Sequence, residues 1–348
     1  MITRRAFATV AGLVAAAPSL ALDAAPHRGS VPAARPGLLK PPRLKQGDTI
    51  GMVLPASMSL ESDNIARGRE QLEALGYKVK IGAHAYDRYG YLAGEDRNRA
   101  ADINAMFADP EVNGISCFTG GWGTPRLLPY LDYDLIRRNP KVVIGFSDIT
   151  GLLNAIHKKT GLVTFHGPMA DSLYEPYTLA NYRKAVMTAE PLGLLPNPPK
   201  RETDLIDREN RVIPLTGGKA TGRLIGGNLT LIASTTGTPY EIDTAGAILF
   251  LEDTHEEFYR IDRMLTQLWL AGMLDSIAAF VWGRCTDCPV TGPTLSLGQI
   301  LRERFAHVPS MWGLSFGHIE KKLTLPIGVQ ATLDADAGTL TVLEAAVV

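Results

Sequence analysis

Three side chains in this sequence have the types and settings needed for acyl transfer. Ser147 sits in Gly145-Phe146-Ser147-Asp148, directly after the apolar run Val142-Val143-Ile144 and before a helical pattern over 149–156. A buried strand, a tight turn and a helix N-terminus together push a serine hydroxyl out at the carboxyl edge of a sheet. The first N–H groups of that helix then face whatever the serine attacks and favour a developing negative charge. Serine and aspartate are also preferred helix caps, and from this stretch alone simple capping is the favoured reading. A nucleophilic serine needs a base, and the base a carboxylate, near in space though not in sequence. Of seven histidines, His318 is best placed, in Ser315-Phe316-Gly317-His318-Ile319-Glu320 at the end of an apolar segment. His166 ends a strand before Gly167-Pro168 and reads either as a site residue or as a satisfied edge histidine. Glu252 follows Ile248-Leu249-Phe250-Leu251. An acid there is buried and paired, faces a cleft, or is solvated beside Asp253.

The loop Thr119-Gly120-Gly121-Trp122-Gly123-Thr124 lies at another strand end. Its glycines let backbone approach a ligand, and one of its N–H groups can complete an oxyanion site beside that of Asp148, although an ordinary strand-to-helix turn reads the same way. The loop lacks the Lys-Ser/Thr ending of a phosphate cradle and the dinucleotide fingerprint. The chain order Ser, Glu, His is that of α/β-hydrolases, but the turn has no second glycine of G-x-S-x-G, so a different fold carrying the same chemistry is expected. No metal or cofactor is called for: His255-Glu256-Glu257 lacks the His-Glu-x-x-His spacing, and Cys285-Thr286-Asp287-Cys288 has no second pair to complete a zinc site. In an oxidising compartment those two cysteines can form a local disulfide instead.

Strand and helix alternate from Asp48 to about residue 170, which predicts a mostly parallel sheet with helices on both faces and ligands at the strands' C-terminal ends. The expected strands are 48–57, 77–82, 114–118, 142–144 and 162–166; the expected helices are 61–76, 95–108, 125–139 and 149–156. Helix 179–188 and a Pro-rich, charged stretch follow. Beyond Gly217 come a strand over 222–228, a helix over 229–234, strands at 247–251 and 277–283, an amphipathic helix over 258–270, and a hairpin over 329–343 turned by Asp336-Ala337-Gly338. The expected organisation is a signal peptide and flexible leader (1–43), an α/β domain (44–190), a linker (191–214) and a smaller, β-rich α/β domain (215–348).

The 348 residues carry 35 Lys and Arg against 36 Asp and Glu, with 45% hydrophobic residues. That balance fits a globular protein and argues against a nucleic-acid partner. Arg4-Arg5-Ala6-Phe7 precedes an Ala-rich apolar run, 8–21, too short to span a bilayer. This pattern reads as a twin-arginine export signal, and so as a periplasmic protein with no stable membrane anchor.

In order along the chain, Gly120-Gly121-Trp122-Gly123-Thr124-Pro125-Arg126-Leu127-Leu128, Gly145-Phe146-Ser147-Asp148, Thr164-Phe165-His166-Gly167-Pro168, Gly226-Gly227-Asn228-Leu229, Leu251-Glu252-Asp253 and Phe316-Gly317-His318 resemble the LD-carboxypeptidase family, serine peptidases acting on peptidoglycan peptides. The resemblance covers roughly 45–345. It implies an N-terminal domain like class I glutamine amidotransferases and a C-terminal swivelling β-rich domain, usually in a homodimer. It further implies Ser147 as nucleophile, Glu252 as triad acid, His318 as base, and the N–H groups of Gly121 and Asp148 as the oxyanion hole. The substrate so implied is a murein tetrapeptide that loses its terminal D-alanine. Amidases that inactivate peptide-nucleotide antibiotics belong to the same family, and a non-catalytic cell-wall peptide-binding protein is the rival from another class. Arg126 and Arg260 are candidate cations for a terminal carboxylate, and Trp122 and His166 further substrate contacts.

Overall fold

The computed structural model describes residues 35–348. In chain order the first part comprises β1 (Thr49–Val53), α1 (Ser62–Ala74), β2 (Lys78–Ile81), α2 (Asp96–Ala108), β3 (Val112–Cys117), α3 (Thr124–Leu127), α4 (Tyr133–Arg138), β4 (Val142–Gly145), α5 (Ile149–Thr160), β5 (Thr164–His166) and α6 (Pro176–Met187). The second part comprises β6 (Gly193–Leu194), β7 (Ile213–Thr216), β8 (Lys219–Asn228), α7 (Leu229–Thr235), β9 (Ala247–Thr254), α8 (Phe258–Leu270), β10 (Ala279–Thr286), α9 (Leu297–Phe305), β11 (Ser310–Trp312), β12 (Leu325–Ile327), β13 (Gln330–Asp334) and β14 (Thr339–Val342).

Two sheets result, and neither closes into a barrel. The first has the order β12-β5-β4-β3-β1-β2, parallel throughout except for β12, which runs antiparallel to β5. The second, β6-β14-β13-β8-β9-β10-β11-β7, is parallel from β8 to β11 and antiparallel at both flanks. The expected mixed α/β architecture is present, with its parallel sheet first and its β-rich part second. In the first sheet the strand order reverses at β1, between β2 and β3, which opens a crevice at the carboxyl ends of β1 and β3.

The differences from the sequence reading have local causes. The helix expected over 125–139 is broken: Pro129 lies in a 3₁₀ turn, Leu128–Tyr130, and Asp132 starts α4 afresh by accepting the Leu135 N–H at 2.8 Å. Residues 35–43 do not form a flexible leader. The Leu39 N–H donates to the Gly161 carbonyl and the Val163 N–H to that of Leu39, both at 2.8 Å, so this segment lies along the start of β5. The stretch 191–214 contributes β6, at one edge of the second sheet, and the first residues of β7 at the other. The export signal falls within residues 1–34, outside the described residues.

Candidate active site

The turn at Ser147 has the strand–turn–helix geometry its sequence suggests. Val142, Val143 and Ile144 are buried on both faces of the sheet. The chain then turns so sharply that Ser147 adopts φ +62°, in the left-handed region that a non-glycine residue rarely occupies. Backbone strain of this kind persists only where its surroundings over-determine it, and it gathers at functional sites. The Asp148 side chain does not cap α5. Its Oδ2 accepts the Thr124 N–H at 2.8 Å, and its carbonyl accepts the Thr124 hydroxyl. The residue after the serine thus clamps the end of the glycine loop. Burial pushes the Asp148 carboxyl up, while the Thr124 and Gly123 N–H groups pull it partway back.

A second clamp is Arg99, which the sequence reading passed over. It is 1% exposed and donates to the carbonyls of Gly123, at 3.1 Å, and of Pro55. One guanidinium therefore ties together the loops that leave β1 and β3. Ser57 adds to the tie, since its N–H donates to the Gly120 carbonyl at 3.2 Å and its hydroxyl accepts the Trp122 N–H at 3.0 Å. A signal for Arg99 was present: it shares the inward face of α2 with Ile103, Met106 and Phe107, where a charge needs an internal partner. The loop so held brings Gly120 against the serine; a Cβ added at Gly120 would lie 3.0 Å from Ser147 Oγ and 3.5 Å from the Asp148 N. Among the described residues, neither the Asp148 nor the Gly121 N–H donates to a protein acceptor.

The other two side chains come from the second sheet's half of the chain. The Ser147 hydroxyl donates to His318 Nε2 at 2.9 Å, and His318 Nδ1–H donates to Glu252 Oε2 at 2.7 Å. Glu252 ends the apolar part of β9 and is fully enclosed. Burial alone would push its carboxyl up, but the imidazoles of His166 and His318 more than offset this and bring it down to about 2. His166 Nε2 lies 3.8 Å from Glu252 Oε1, too long for a direct hydrogen bond, and neither atom has another partner. His166 is itself 1% exposed, against Phe146, Phe250 and Phe316. The substrate contact expected of His166 is therefore corrected: it backs the carboxylate from the core. Asp253 points the other way, accepting from Asn228 Nδ2 at 2.9 Å and from the Thr230 N–H at 3.0 Å, which fixes the start of α7. Burial and the adjacent Glu252 charge push Asp253 up to about 6.

What aligns the two halves is α5, the helix that starts at the nucleophile turn. Asn154 Nδ2 donates to the Gly226 carbonyl at 2.9 Å, and Thr150 Oγ1 accepts the Asn228 N–H at 3.0 Å. Gly226 and Gly227 have φ of +153° and +138°, and a Cβ on Gly227 would come within 2.6 Å of Thr150 Cγ2. The Gly-Gly-Asn segment is thus a close-packing surface that seats β8, and beside it β9 with Glu252, on the nucleophile's own helix.

The remaining candidates face solvent. Arg126 is exposed and paired with Asp96 at 2.9 Å. Arg260 is exposed between Tyr259 and Glu256. Trp122 is exposed and meets Tyr91 edge-on at 6.3 Å. Both arginine side chains are half exposed on helical positions, and each is engaged by a neighbouring carboxylate. Cys285 and Cys288 are joined in a disulfide at the end of β10.

Comparison with known proteins identifies the family. Residues 50–167 match the LD-carboxypeptidase N-terminal domain and residues 221–333 the LD-carboxypeptidase C-terminal domain. A probable murein peptide carboxypeptidase of Bacillus subtilis is 41% identical over 318 residues, covering 88% of this chain and 95% of that protein. A murein tetrapeptide carboxypeptidase of Pseudomonas aeruginosa is 35% identical, covering 82% and 93%. Among solved structures, the microcin C7 self immunity protein MccF superposes with a TM-score of 0.80 at 29% identity, covering 89% of this chain and all of that one. With both family domains matched in order and close relatives aligned over most of its length, the chain belongs to the LD-carboxypeptidase family and is a serine-type hydrolase.

Proposed function

We propose that this protein removes the terminal D-alanine from murein tetrapeptides by hydrolysing the bond between the L-centre of the diamino acid and that residue. The observation that carries the reading is the Ser147–His318–Glu252 chain at 2.9 and 2.7 Å, ending in an enclosed carboxylate. In this mechanism His318 takes the Ser147 proton as Oγ attacks the scissile carbonyl, and Glu252 holds the tautomer and stabilises the imidazolium. The N–H groups of Asp148 and Gly121 receive the oxyanion, each worth about 2.7–4 kcal/mol in the transition state. His318 then protonates the departing amine, and water enters by the reverse route to release the acyl group.

The export signal belongs in this reading to the residues before 35, and the Cys285–Cys288 disulfide supports an oxidising, periplasmic setting. Ser147 belongs to the domain at 44–190, Glu252 and His318 to that at 215–348. The protein works as a homodimer, on the strength of the family resemblance. A second reading, an amidase acting on a peptide-nucleotide antibiotic, is favoured by the superposition on the immunity protein.

Incubating mature protein and Ser147→Ala with murein tri-, tetra- and pentapeptides, followed by mass spectrometry, tests the assignment. Loss of one D-alanine from the tetrapeptide by wild type alone is expected. An intact tetrapeptide with cleavage of a peptidyl-sulfamoyl nucleoside would transfer the site to the second reading.

A further inference from the structure

The two arginines first considered for a terminal carboxylate face solvent, yet a third cation stands beside the reacting groups. Lys322 lies four residues beyond His318, in the same irregular segment, and is 6% exposed. Its ammonium sits 4.0 Å from the centroid of the Phe146 ring, and that ring, one residue before the nucleophile, packs edge-on against the His318 imidazole at 5.0 Å. The main chain here is pinned to α6: the Lys322 N–H donates to Thr178 Oγ1, and that hydroxyl donates to the Glu320 carbonyl, both at 3.0 Å. Among the described residues, Lys322 forms no ion pair within 4.0 Å, and its Nζ is absent from the fully enclosed polar atoms without partners. The ring face of Phe146 is thus the contact shown for the ammonium, which is left without a neutralising carboxylate at close range. Burial pushes it down to about 8, with Asp171 and Glu252 drawing it back up from a distance. Through the Phe146 ring, Lys322 thus stands beside both the Ser147 turn and the His318 imidazole.

The chemistry of the reaction decides which part of a substrate meets this cation. His318 returns its proton to the leaving nitrogen, so the released residue must lie on the His318 side of the scissile bond. When that residue is C-terminal, its carboxylate is separated from the leaving nitrogen by a single carbon. From these positions we infer that Lys322 receives the free α-carboxylate of the residue being released, and that this contact makes the enzyme an exopeptidase. The inference rests on the carboxypeptidase reading above. A charge held in a half-dry pocket discriminates strongly, because an amide or ester placed there leaves the ammonium desolvated and unpaired.

The readout is a ratio: kcat/KM for a tetrapeptide ending in D-alanine over kcat/KM for the same peptide ending in D-alaninamide. Wild type should prefer the free carboxylate by about 100-fold, with the ratio falling to near one in Lys322→Met and staying above ten in Lys322→Arg. Melting curves for both variants identify loss of fold, and a measurement on wild type needs no variant: D-alanine should inhibit as product and D-alaninamide far less. A wild-type ratio near one, equal inhibition by the two products, or an unchanged ratio in folded Lys322→Met would each overturn the inference while D-alanine release continues. No release of D-alanine by wild type would instead remove the carboxypeptidase reading, and this inference with it.

Discussion

Glu252 is a charge kept where no water reaches it, with one oxygen bonded to His318 and the other facing His166 at 3.8 Å. A buried carboxylate is tolerated only because two imidazoles compensate it, and that debt is a property of the folded state alone. Glu252→Gln keeps the shape, removes the charge that stabilises the imidazolium, and should lower kcat by about 10³–10⁴-fold. The same change should alter the pH dependence of stability. The Glu252 carboxyl lies at about 2 in the folded protein against an ordinary 4.5. Its contribution is therefore fully present above pH 4.5 and is lost as the pH falls toward 2. Urea midpoints measured across that window should drop more steeply for wild type than for Glu252→Gln. Removing the charge also lets Asp253 ionise more readily, so the difference belongs to the pair. Parallel curves would contradict the assignment of the low value to Glu252.

At the scale of elements, the site depends on short segments that carry no catalytic group. Gly317 precedes the base and has φ +100°; a Cβ there would lie 2.5 Å from Glu252 Oε2. Gly317→Ala adds left-handed strain of about 1–3 kcal/mol and drives a methyl group into the carboxylate, so kcat should fall at least tenfold together with a lower urea midpoint. Wild-type kcat in that variant would show that the segment before His318 is free to shift. The elements that the sequence made legible are those with an apolar run and a glycine or proline stop: β1, β3 and β4, the helices α1, α2 and α8, and the turn at Ser147. The strand β12 was not legible, since Leu325-Pro326-Ile327 becomes a strand only by pairing with Thr164–His166 at the edge of the first sheet, where proline is tolerated. The helix α9 carried a readable signal in its Ser296–Gln299 capping box, but the Pro- and Gly-containing stretch before it hid the start. The role of Gly226-Gly227 was hidden for a different reason: a close approach between distant segments leaves no periodicity in either one.

At the scale of the molecule, the path of the chain prevents the two sheets from acting as independent units. After building most of the second sheet, the chain returns to the first for β12 and then goes back for β13 and β14. The two described ends are joined as well, through the Arg43 N–H to the Val348 carbonyl at 2.8 Å and the Val348 N–H to the Pro41 carbonyl at 3.0 Å. Separating the halves would remove β12 from β5 and expose the buried polar groups of Asn154, Thr150 and Asn228 together, each unsatisfied group costing about 1–3 kcal/mol. Unfolding in urea should therefore be a single transition. Tryptophan fluorescence, dominated by Trp269, Trp282 and Trp312 of the second half, should coincide with far-UV circular dichroism, which reports on both sheets. On the proposed mechanism hydrolysis needs Ser147 from one half and His318 from the other, so activity should disappear within that same transition. Activity lost well below the fluorescence midpoint would mean that the halves part while still folded, and that the α5 contact with Gly226-Gly227-Asn228 is a hinge instead of a weld.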